Sequence, residues 1–133
     1  EKYMREKVLK VLSTLPFCVP FPFIFLWGDY YLNDVRFGIA VAAIVGILSL
    51  EYARKEKIKE IFAGHSIGFL ISCIINSIVN DGFDESWFSP LTSTSYVCVL
   101  FGAVVIISGF GILASKLFSK IKSKIIKIIT PFV

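Results

Sequence analysis

Four residues recur at three- and four-residue intervals inside the apolar run "IFAGHSIGFLISCIINSIV": His65, Gly68, Ser72 and Asn76. At helical periodicity they share one narrow arc, flanked by Gly64, Cys73 and Asn80. Ile67, Leu70, Ile71, Ile74 and Ile78 fall opposite. The chemistry on offer is hydrogen bonding and close backbone approach. The stripe therefore either packs against another helix, with Gly64-x₃-Gly68-x₃-Ser72 as the contact, or lines a wet pore after oligomerisation.

Little else in the chain could do chemistry. His65 is the single histidine. Glu51 sits near a segment end beside Arg54 and Lys55, and no carboxylate lies at mid-segment, where a proton-coupled carrier keeps one. There is no glycine-rich phosphate loop, no nucleophile with a base, and no metal-ligand spacing. Cys18, Cys73 and Cys98 lie inside apolar runs, as small buried hydrophobes do. Neither enzyme activity nor a cofactor or metal is expected.

The elements that must carry the stripe follow from composition. Of 133 residues, 56% are hydrophobic, and the mean hydropathy of +0.76 exceeds that of a soluble domain. The charges gather in five short islands. The pattern predicts an all-α, polytopic membrane protein, one transmembrane domain over 1–133, with four spans near 8–27, 31–52, 61–79 and 95–117. The net charge of +4 lies beside apolar segments, which points to anionic lipid and away from nucleic acid.

Orientation follows from the islands. The N-terminus holds Lys2, Arg5, Lys7 and Lys10, and the second loop holds Arg54, Lys55, Lys57 and Lys59. The tail holds Lys116, Lys120, Lys122, Lys124 and Lys127. The first loop has only Arg36, beside Asp29 and Asp34, and the third has Asp81, Asp84 and Glu85 with no base. The positive-inside rule puts both termini and the 53–60 loop in the cytoplasm of a bacterial inner membrane, with thirteen of the fourteen basic residues on that side.

The first span is irregular. Pro16, Pro20 and Pro22 remove backbone donors and push Leu15, Val19 and Phe21 away from helical angles. A half-helix over Val8–Leu15, then a kinked or extended stretch, is expected, with neighbouring helices meeting the freed groups. The other geometry these residues allow is a re-entrant or interfacial segment. A cleaved signal is disfavoured, because Gly-Asp-Tyr-Tyr follows Trp27.

Small residues mark further packing faces: Gly38, Ala42 and Gly46 in the second span, then Gly102 and Gly109 in the fourth, with Ser108, Gly111 and Ser115 on another side. Several such faces predict homo-oligomerisation. The tail 116–130 is amphipathic. Its Lys116, Lys120, Lys124 and Lys127 share a face and are expected on lipid headgroups, with the helix along the inner leaflet.

From residue 31 onward the layout resembles the holins of lambdoid phages. The pieces that carry this are "FGIAVAAIVGILSLEYARKEK", "AGHSIGFLISCIINSIV" and "STSYVCVLFGAVVIISGFGILASKLFSKIKSK". They match a small-residue helix entering the cytoplasm, a basic loop, a polar-faced helix, and a glycine-containing helix with a basic tail. The resemblance implies a protein that homo-oligomerises into a membrane lesion. The proline-rich first span departs from that three-span layout and turns the N-terminus inward. Two other classes fit the same topology: a membrane immunity or binding protein against a pore-forming toxin, and a small dimeric exporter.

Overall fold

The computed structural model describes residues 1–89 and 91–132; the side chains of Asn80 and Glu85 lie outside the described set. All regular structure among the described residues is helical: α1 (Lys2–Thr14), α2 (Phe21–Trp27), α3 (Val35–Arg54), α4 (Ile58–Val79) and α5 (Ser93–Ile129). Four stretches are long and apolar enough to cross a membrane, the first being the joined segment Lys2–Leu32. The chain is a four-span helical membrane protein.

The first span breaks where its prolines stand. α1 ends at Thr14, and a 3₁₀ turn, Leu15–Cys18, takes Pro16 at its start, where a missing N–H costs nothing. Val19 is then extended (ψ 133°), and Pro20 sits at φ −76°, ψ 68°. These are inverse γ-turn angles, closed by the Phe21 N–H donating to the Val19 carbonyl at 2.7 Å. α2 restarts at Phe21 and widens into a π-helical turn, Gly28–Leu32. The expected half-helix is therefore longer at its start, Lys2 in place of Val8, and α1 buries nothing. The stretch packed most closely on the other helices is 14–32, within a span, Lys2–Leu32, that contains the expected 8–27.

The turns between spans have local causes. Asn33 ends the π turn in the left-handed region (φ 47°), which asparagine tolerates, and its N–H donates to the Gly28 carbonyl. Asp34 caps α3 by accepting from the Arg36 N–H at 2.9 Å. Thr92 caps α5 by accepting from Ser95 N–H at 3.2 Å. Arg54 to Ile58 forms the α3–α4 corner, with Glu56 at φ 58°.

Two apolar clusters hold the bundle. Phe21, Phe25, Val41, Val45 and Val104 join α2, α3 and α5. Leu26, Phe83, Phe88 and Val97 sit nearer the end opposite the α3–α4 corner. At that end Tyr30 rings with Phe83, Trp87 and Phe88, centroids 4.8–5.8 Å away. Such aromatics mark a membrane–water interface. α5 runs unbroken for 37 residues, about 55 Å against a hydrocarbon core of about 30 Å. The tail is thus the continuation of α5, a correction to the expected separate helix. No proline stands between Ser93 and Ile129, and the three glycines there all precede the tail.

Candidate functional site on the inward face of the fourth helix

The polar stripe of α4 faces inward. His65, Gly68, Ser72 and Asn76 are all buried, together with Ile61 and Gly64. What covers them is chiefly the broken part of the first span, running alongside α4 from Thr14 beside Gly64 to Tyr31 near Phe83.

The two glycines set the distance. A Cβ placed on Gly64 would lie 2.3 Å from the Phe17 Cβ and 2.8 Å from the Thr14 carbonyl oxygen. One placed on Gly68 would lie 2.7 Å from the Val19 carbonyl oxygen and 3.1 Å from that of Phe17. Any side chain at either position would push the irregular stretch off the helix. Main chain thus rests directly on main chain at the point where the first span has lost its own ladder.

Ser72 completes the restart. Its Oγ donates to the Gly68 carbonyl at 2.8 Å and accepts from the Phe23 N–H at 3.3 Å. The first amides of a helix have no partner within it. Here each has an answer. The Phe21 N–H closes the γ-turn, Pro22 has none, Phe23 reaches Ser72, and Ile24 donates to the Pro20 carbonyl at 3.0 Å. In hydrocarbon an unmet amide costs several kcal/mol, about the cost that would otherwise forbid this break.

His65 and Asn76 tie α4 to α5. His65 Nε2 is 2.7 Å from Ser108 Oγ, and its ring lies edge-on to Phe17, centroids 5.1 Å apart. Asn76 Nδ2 donates to Ser93 Oγ and Thr94 Oγ1, both at 3.3 Å. Its Oδ1 is buried without a hydrogen-bond partner. At the basic end Tyr52 Oη donates to the Ser13 carbonyl at 2.6 Å and stacks edge-on against Phe17.

The other small residues divide. Ala42 packs on the core, and Gly46 meets α5 in ordinary contact, 3.7 Å from Ile107 Cγ2. Gly38, Gly102 and Gly109 have nothing within 4 Å of an added Cβ, so they make no close approach within the chain. That role falls to Gly111, whose added Cβ would lie 2.7 Å from the Gly46 carbonyl oxygen. The signal for it was the spacing of Val97, Val104, Ser108, Gly111 and Ser115, the buried face of α5. Lys116, Lys120, Lys124 and Lys127 are exposed on the free part of α5.

Outside the spans, the two loop carboxylates at caps are perturbed. Hydrogen bonds from Arg36 hold Asp34 below its ordinary range, and those from Ser86 do the same for Asp84. Among the described residues no group of three His, Cys, Asp or Glu side chains could hold a metal. No family model, curated protein or solved structure matches the chain.

Proposed function

We propose that this chain is a binding protein of the bacterial inner membrane, both termini in the cytoplasm. In this reading it recognises other membrane-spanning helices through its outer faces. An immunity protein against a pore-forming toxin is the case that fits best. One observation carries this reading: all four residues of the α4 stripe are occupied within a single chain, by the first span and by α5. A polar face buried in this way is no longer free to line an aqueous lesion.

The test has two arms. In a chain with its native cysteines replaced, cysteines at 65, 72 and 76 should resist a water-soluble thiol reagent as fully as those at 67, 71 and 74. Induced expression alone should leave the host's membrane potential intact. Labelling of the stripe together with loss of potential would reject the binding reading in favour of a holin-like, homo-oligomeric lesion. That second reading has one observation on its side. Gly102 and Gly109 are open on the outside of α5, as a self-association face would be. A dimeric exporter has less support, because no span carries a carboxylate at depth.

A further inference from the structure

Past the end of α3, α5 continues with one wall missing. Within the bundle the α5 face of Val104, Ser108, Gly111 and Ser115 is buried. The same face runs on through Phe118, Ile121 and Ile125, which are about half exposed. With the α3–α4 corner they enclose an open groove of about 1070 Å³. Leu50 and Ile58 add apolar surface from the corner side. The polar lining comes from both walls: Arg54 and Glu56 from the corner, Lys116 and Lys122 from α5. Lys122 is set apart from the other tail lysines. It lies among the apolar side chains that line the groove, away from Lys120, Lys124 and Lys127, while Lys116 stands at the groove's edge.

The charges select the occupant. Residues 116–132 hold five lysines and no Asp or Glu. A second copy of this tail would set its five lysines against Arg54, Lys116 and Lys122, with Glu56 alone among the lining residues to offset them. The occupant must be apolar along its length and anionic at one end. We propose that the groove holds one anionic phospholipid, its phosphate on Arg54 and Lys122 and an acyl chain on Phe118, Ile121 and Ile125. Basic pockets between helices on the cytoplasmic side bind such headgroups. This site rests on the orientation proposed above. It is distinct from the outward lysine face, which meets the headgroup layer as a whole.

The purified full chain, in detergent, would be titrated with phosphatidylglycerol and with phosphatidylcholine of the same chains and followed by native mass spectrometry. One phosphatidylglycerol per chain should survive desolvation, and phosphatidylcholine should not. R54Q and K122Q should each weaken retention roughly five-fold, while the outward-facing pair K120Q/K127Q should leave it nearly unchanged. Ile125→Ser should also weaken it, through the acyl contact. Equal retention of both lipids would overturn the proposal, and so would equal losses in the outward pair. Displacement of the lipid by an acidic amphipathic peptide at lower concentration would reassign the groove to a protein partner. The headgroup comparison uses the unaltered chain, so it decides the matter even if a variant fails to fold. A reporter at residue 56 read as periplasmic, with selective retention intact, would sink the orientation and leave the groove.

Discussion

Gly68 does the most at the smallest scale. Its missing side chain is where the Val19 carbonyl sits, so Gly68→Ala must move main chain, not a flexible side-chain tip. The expected cost is about 1–3 kcal/mol, the range for overpacking, read as a lower melting temperature in detergent. Gly102→Ala, inside α5 with open space around it, should not lower that temperature and should raise it slightly by stiffening the helix. Ser72→Ala should cost ~0.5–2 kcal/mol, because it strands the Phe23 amide at the start of α2. A second residue-level prediction concerns acid. The folded state holds Asp34 and Asp84 below their ordinary range. Their contribution is therefore complete above the unfolded pKa and is lost as pH falls through the folded one. Asp34→Asn with Asp84→Asn keeps the caps without the titration. The melting temperature of that variant should fall less between pH 5 and pH 3 than that of the wild type, and an identical fall would mean other groups govern acid stability.

At the scale of elements, the sequence was legible wherever one periodicity decided the outcome. The spans came from hydropathy, and the α4 stripe came from its three-and-four spacing. The stripe's partner did not, because no periodicity marks an irregular backbone as the surface that fills a groove. Pro20 announces a break but not which helix receives it. Which α5 glycine makes the close approach was hidden for a related reason. Spacing places Gly102 and Gly109 on a face, but only the crossing point of α3 and α5 distinguishes Gly111, which meets Gly46. The α3–α4 corner yields a prediction of its own. The Lys57 N–H donates to the Tyr52 carbonyl and the Glu56 N–H to the Ala53 carbonyl, a Schellman ending with Glu56 left-handed at φ 58°. Glu56→Gly should relieve the side-chain penalty and raise stability by about 1 kcal/mol. An unchanged or lower melting temperature would mean that the carboxylate has a compensating role there.

For the whole molecule, packing ends where α3 ends. From Lys116 to Phe132 no described residue is buried, so the bundle owes this stretch nothing. Truncation after Lys116 should leave the melting temperature and the elution of the remaining chain unchanged while abolishing the selective lipid retention proposed above. Aggregation of the truncated chain would show the free part of α5 to be structural. The proposed orientation is tested by reporter fusions at residues 30, 56, 86 and 132. The first and third should report from the periplasm, the other two from the cytoplasm, and the opposite result at 56 would reverse the molecule.

The seating of the broken span on α4 also bears on how the protein is made. A ribosome delivers residues 14–32 to the membrane well before Gly64, Gly68 and Ser72 have been polymerised. During that interval the stretch around Pro20 has no glycine saddle to rest on, and the Phe23 amide has no hydroxyl to meet. Neither can be left bare in hydrocarbon. The broken span is thus synthesised before α4 but becomes complete only after it, and it must wait at the interface or within the insertion machinery until α4 arrives. A substitution at Gly68 would then act during biogenesis as well as in the finished protein, leaving chains whose N-terminal segment never settles and which quality-control proteases remove.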